Sequence, residues 1–239
     1  MATFVLVHGS FHGGWCWERV ATRLRRDGHT VLTPTLTGLG ERSHLVHPRV
    51  GLDLHVLDVA QVLEYGDLGD VVLVGHSYGG MVVTGVADAV PERLAHVVYL
   101  DGFRPEHGQS AWDISPDAQR RWEAAAEAAG TGWLVPPPDP VEAYDVCDAD
   151  AEWVRERLVP TPLFTHEQPL HAPDERAASL PQTYVLCTRY DGFEDVARRA
   201  RDEGVDYHEL DTGHDAMITA PDGLAEILLA IGDEVASST

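Results

Sequence analysis

Ser77 stands between two glycines in Gly75-His76-Ser77-Tyr78-Gly79, directly after the apolar run 71–75 and before a stretch rich in small residues. A serine on a sharp strand-to-helix turn holds its hydroxyl at the positive end of the following helix. Negative charge developing on an attacked carbonyl is stabilised there. Bulk at either glycine would collide with neighbouring elements. An ordinary glycine turn would carry the same two glycines, but a second motif argues against it. His8-Gly9-Ser10-Phe11-His12-Gly13-Gly14-Trp15 follows the first apolar run, and a tetrahedral oxyanion needs two backbone N–H donors. On this reading Tyr78 supplies one N–H and Ser10 the other.

A hydroxyl nucleophile needs a base. Of thirteen histidines, those after Ser77 are His96, His107, His166, His171, His208 and His214. His96 and His208 fall within expected strands, and His107, His166 and His171 within a proline-rich central stretch. His214, in Asp211-Thr212-Gly213-His214-Asp215, comes just past the last strand and is the candidate base. A carboxylate at a strand end must then hold the imidazole in one tautomer. Asp191, after the strand 183–188, is the first choice; Glu194 and Asp195 are nearby rivals, and Asp101 at the end of the fourth strand is the structural alternative. There is no HExxH, no CxxC and no acidic ligand run, so neither a metal nor a cofactor is expected.

Composition narrows the chemistry further. Seventeen basic against 39 acidic residues give a net charge of −22, which repels nucleic acid and anionic membrane surfaces. The chain contains no lysine, which excludes Schiff-base chemistry, and no asparagine, which excludes a Cys-His-Asn arrangement. Cys16, Cys147 and Cys187 are scattered and odd in number, as in a reduced cytoplasmic protein. No apolar stretch is long enough to cross a bilayer, and residues 1–10 lack the basic start of a secretion signal.

The elements that must position these residues alternate along the 239-residue chain. Short apolar runs at 3–9, 29–34, 71–75, 95–102, 183–188 and 205–210 read as strands. Helical periodicity recurs at 15–27, 52–65, 78–90, 193–203 and 221–236, with Gly28 as a stop and Pro221 in a first turn. This alternation predicts a mostly parallel six-stranded sheet flanked by helices, with its working loops at the carboxyl ends of the strands. Residues 103–181 break the pattern with "VPPPDP", "VPTPLF" and Trp112, Trp122, Trp133 and Trp153. They read as an inserted helical cap, leaving 1–102 and 182–239 as the core domain.

Taken together, "FVLVHGSFHGGWCW", "GHSYGG", "FTHEQPL", "YVLCT" and "GHDAM…P" resemble the α/β-hydrolase superfamily, closest to the branch of plant methyl esterases and hydroxynitrile lyases. The resemblance spans nearly the whole chain. It implies an α/β-hydrolase fold, a Ser77–His214–Asp191 triad and an oxyanion hole from Ser10 and Tyr78. The aspartate lies one position later after "CT" than in the plant esterases. The implied activity is a serine hydrolase cleaving small apolar, aromatic or polyketide-like carboxylic esters through an acyl-enzyme, with a small-molecule ester as partner and a homodimer left open. Two other uses of such a site stay open: a carbon–carbon lyase or cyclase using it as a base, and a ligand receptor with slow turnover. The lyases carry a lysine directly after the catalytic histidine, where this chain has Asp215. A negative charge there would oppose a departing anion.

Overall fold

Apolar strands alternating with amphipathic helices bury both faces of a sheet only when helices cover each face. The computed structural model of the chain, which describes residues 1–238, is built this way. The first half runs β1 (Thr3–Val7), α1 (Glu18–Arg26), β2 (Thr30–Leu32), α2 (Leu52–Tyr65), β3 (Val71–His76), α3 (Gly79–Ala89) and β4 (Leu94–Leu100). An insertion follows, with α4 (Ala111–Ile114), α5 (Pro116–Ala128), β5 (Leu134–Val135), α6 (Pro140–Tyr144), α7 (Asp148–Arg155), β6 (Thr161–Pro162) and α8 (Phe164–Glu167). The chain then returns through β7 (Gln182–Cys187), α9 (Glu194–Asp202), β8 (Asp206–Leu210), α10 (Ala216–Thr219) and α11 (Pro221–Ser238).

Six strands form one parallel sheet in the order β2-β1-β3-β4-β7-β8. β3 lies inside it and every one of its residues is buried, which explains its unbroken apolar run. Phe4, Leu6, Val72 and Val74 pack with α1 and α11 through Val20, Leu24, Leu224 and Leu228. Val5, Leu73 and Val97 pack on the other face with Val59, Leu63, Val82 and Val86 of α2 and α3. Alternate residues of each strand therefore serve opposite layers.

The predicted helix at 15–27 is a short 3-10 turn, Gly14–Trp17, followed by α1. The cap contains a two-stranded antiparallel sheet that periodicity does not reveal, because β5 and β6 have two residues each. Among the described residues no helix is long and apolar enough to cross a membrane.

Candidate active site

β3 ends at His76, and the next residue, Ser77, has a φ of +53°. That left-handed conformation costs a residue with a Cβ roughly 1–2 kcal/mol, so something must hold it. The turn after β4 does so: the Ser77 N–H donates to the Leu100 carbonyl at 3.1 Å, and the Phe103 N–H donates to the Ser77 carbonyl at 3.1 Å. The flanking glycines are required by space. A Cβ on Gly75 would lie 2.5 Å from the Gly79 carbonyl oxygen, and one on Gly79 would lie 2.8 Å from that of Val7.

The turn that clamps Ser77 also carries Asp101, itself at a φ of +40° and fully buried. Its Oδ2 lies 2.6 Å from His214 Nδ1, and its Oδ1 accepts the Cys187 N–H at 3.2 Å. A carboxylate on Nδ1 leaves His214 Nε2 as the bare, basic nitrogen. Burial pushes the Asp101 carboxyl above its usual range, against the opposing pull of His214 and the Cys187 N–H. The His214 carbonyl is in turn held by His76 Nε2–H at 3.0 Å. Ser77 and His214 both line one cavity of about 610 Å³, whose walls include Phe11, Trp112, Trp122 and Tyr190.

Asp191, the acid expected from sequence, is not brought to His214. It is exposed in the loop after β7, and Glu194 and Asp195 are exposed at the start of α9. What the β7 loop offers His214 is aromatic: the Tyr190 ring lies 4.3 Å from its ring and the Phe193 ring stacks at 5.7 Å. Strand order does not decide this, because β7 lies between β4 and β8, the strand that precedes His214. The difference is local: the turn after β4 folds Asp101 inward at a positive φ, and the loop after β7 leaves Asp191 exposed. The sequence signal for Asp101 was its place at a strand end before Gly102, matching Ser77 at the end of β3.

Ser10 and Tyr78 stand where the sequence placed them, on the loops after β1 and β3. The Phe11 N–H is taken by Thr161 Oγ1 at 2.8 Å, while those of Ser10 and Tyr78 have no hydrogen-bond acceptor among the described residues. Buried histidines fix the frame around these two donors. The Leu36 N–H donates to His8 Nε2 at 3.1 Å, so the His8 Nδ1–H donates to the Gly9 carbonyl at 2.8 Å. The N–H of that same peptide belongs to Ser10, and a trans peptide points its N–H opposite to its C=O. Beneath Tyr78, the His55 Nε2–H donates to the Thr37 carbonyl at 2.8 Å and Nδ1 accepts the Tyr78 hydroxyl at 3.0 Å. Burial lowers His8 to about 3 and His55 to about 4, so both are neutral.

His12 differs from these. Nδ1 faces the Ser10 carbonyl at 2.8 Å and Nε2 faces Asp215 Oδ2 at 3.1 Å. Both partners are acceptors, so both ring nitrogens donate and the ring is an imidazolium. Burial alone would lower its pKa, but the charge and hydrogen bond of Asp215 raise it overall. Asp215, fully buried, is held below the usual carboxylate range by His12 against the effect of burial. Its charge is therefore spent on His12. The sequence argument that Asp215 would bear on a departing anion does not describe this arrangement. His166, set aside as a cap bystander, lines the cavity with Nε2 at 3.2 Å from Ser10 Oγ.

Comparison with known proteins places the fold. Residues 4–227 match the model of the alpha/beta hydrolase family. The chain is 41% identical to the carbendazim hydrolyzing esterase of Nocardioides sp. (strain SG-4G), over 97% of this chain and 100% of that protein. It is 27% identical to methylesterase 10 of Arabidopsis thaliana, over 95% and 90%. Among solved structures, an extracellular α/β-hydrolase from a Paenibacillus species superimposes with a TM-score of 0.85 at 27% identity, covering 97% of this chain and 99% of the other. With a parallel sheet, an inserted cap and a serine turn over a cavity, the chain belongs to the alpha/beta hydrolase family, among relatives named esterases.

Proposed function

We propose that the protein is a serine esterase acting on small apolar carboxylic esters through an acyl-enzyme, with Ser77, His214 and Asp101 as its triad. The observation that carries this reading is the Asp101–His214 bond of 2.6 Å at the edge of a cavity that Ser77 also lines. Ser77 Oγ attacks the ester carbonyl while His214 Nε2 takes its proton. The Ser10 and Tyr78 N–H groups receive the oxyanion. His214 returns the proton to the departing alcohol, and water, activated by the same nitrogen, releases the acid. Asp101 fixes the tautomer and faces the imidazolium formed on the way.

Substrate class follows from the walls. Phe11, Phe103, Trp112, Trp122, Tyr190 and Phe193 line the cavity and favour an aromatic or otherwise flat apolar group. The full-length likeness to a carbendazim hydrolyzing esterase supports carbendazim as a member of the substrate panel, beside methyl and p-nitrophenyl esters. The free cysteines Cys16, Cys147 and Cys187 fit a reducing, cytoplasmic location. Turnover of such a panel by wild type and Ser77→Ala tests the reading. Wild type turns over many equivalents and is labelled by a fluorophosphonate, and Ser77→Ala loses both. One slow turnover by wild type would make it a receptor instead, and full activity in Ser77→Ala would end the triad assignment.

A further inference from the structure

Ser10 contributes a hydroxyl as well as an N–H, and its hydrogen-bond polarity is set by the cap. The Thr165 hydroxyl has one proton, which it donates to the Pro162 carbonyl at 2.7 Å. Towards His166 Nδ1, at 2.8 Å, the same oxygen acts only as acceptor, so the His166 proton sits on Nδ1. Burial, with His55 nearby, lowers His166 to about 3. The ring is neutral and Nε2 is bare. The Ser10 hydroxyl, 3.2 Å from Nε2, therefore donates its proton to His166. The rings of Tyr78 at 4.7 Å, Trp112 at 4.9 Å and Trp122 at 4.4 Å pack against the His166 imidazole and keep it from turning away.

With its proton committed, Ser10 Oγ faces the cavity only with lone pairs. Ser10 and His166 both line that cavity. The N–H and Oγ of Ser10 are only three bonds apart (N–Cα–Cβ–Oγ), so with the carbonyl oxygen at the N–H, a substrate group meeting Oγ sits within a bond or two of the scissile carbonyl, on its acyl side. We propose that Ser10 Oγ is a specificity-determining acceptor that selects esters bearing an O–H or N–H donor on the atom adjacent to the scissile carbonyl, as in α-hydroxy esters and N–H carbamates. The inference rests on the esterase reading above and adds its acyl-side preference. An acyl group presenting only acceptors there meets lone pair against lone pair and leaves both unsatisfied.

The test compares methyl mandelate with methyl α-fluorophenylacetate, in which a fluorine of similar size replaces the hydroxyl and no donor remains. Their intrinsic reactivities differ, but that difference cancels when the ratio of kcat/KM values is compared between wild type and Ser10→Ala. The ratio favours mandelate in wild type and falls about tenfold in Ser10→Ala, the scale of one hydrogen bond with its partner left unsatisfied. A ratio unchanged by Ser10→Ala overturns the proposal. Should Ser10→Ala fail to fold, wild type alone decides: its preference between the two mandelate enantiomers exceeds that between the fluoro enantiomers, and equal preferences overturn it. Methyl phenylacetate, with neither group, separates the two readings. If wild type hydrolyses it while the mandelate ratio stays flat, the esterase stands and the donor preference falls. If none of the esters is hydrolysed, the esterase reading itself has failed.

Discussion

Two loops at the carboxyl end of the sheet each carry an aspartate that the sequence offers to His214, and they are built in opposite ways. The loop after β4 begins with a buried turn, 101–103, cross-bonded to the serine turn, with Asp101 at a positive φ and its side chain closed to water. The loop after β7 leaves Asp191 in solvent and turns Tyr190 and Phe193 to the imidazole. An orienting carboxylate has to be rigid and dry for its hydrogen bond to outweigh competition from water. Adjacency to β3 gives Asp101 that environment. The β7 loop instead supplies Tyr190 and Phe193 to the cavity wall, where they pack on the His214 ring.

The sharpest way to break this contrast is Asp101→Asn. If Asp101 orients His214, kcat falls on the order of 10⁴-fold with KM little changed, the scale seen when a triad aspartate is lost. Near-wild-type turnover would return the role to the β7 loop. A smaller but still large effect is expected in stability from Asp215→Asn. It removes one side of a buried ion pair and leaves the His12 proton without its counter-charge, at a cost of up to about 3 kcal/mol. Urea denaturation measures it, with Asp211→Asn as an exposed control on the same loop. Equal midpoints for the two variants would mean that His12 is not charged.

Acid titration probes the β1–β3 side of the comparison. Burial lowers His8 and His166 to about 3 and His55 to about 4, and holds His76 well below its usual value, aided by His214. The unfolded chain protonates these rings near 6.5 and the folded chain does not. Their neutral forms therefore support the fold above that pH, and the support drains away as pH falls from 6.5 towards 3–4. Each histidine contributes a slope of about 1.4 kcal/mol per pH unit in that window. His12, whose pKa is raised, works the other way, but it is one ring against four. Unfolding at about pH 5 should thus take up several protons, and a melting temperature flat between pH 7 and 5 would contradict the neutral assignments. The smallest effect is Asp191→Asn, expected to leave kcat and KM within about twofold, since an exposed charge near no hydrogen-bond partner on His214 is screened by water.

Much of the fold was legible because its signals are local. The run 71–75 is apolar since β3 is buried on both faces, and α2 follows the 52–65 periodicity end to end. Ser77 and His214 were legible for the same reason: each lies where a strand stops. The carboxylate beside His214 was not, because Asp101 and Asp191 both follow strands, and which of the two turns inward depends on the bonds of the β4 turn to the serine turn, a long-range property. Nor was the role of His166, which depends on α8 being folded back onto the loop after β1, 156 residues away in sequence. The charge on His12 was equally hidden. It follows from two acceptors, one of them Asp215, that meet only in three dimensions.

The segment 159–166 is stitched to the very loop that carries the proposed oxyanion donor, Ser10. Phe11 N–H bonds to Thr161, the Phe11 carbonyl accepts the Val159 N–H at 2.9 Å, and Ser10 Oγ bonds to His166. To lift residues 159–166 off the sheet, all three bonds must break, and the peptide frame around the Ser10 N–H loses its cap-side anchors in the same movement. The loop that holds the Ser10 N–H and the segment 159–166 are thus one bonded unit, and displacing either disturbs the other. The opposite wall of the cavity is formed by α5 and the turn Pro136–Pro138, which among the described residues carry no such bonds to the Ser10 loop.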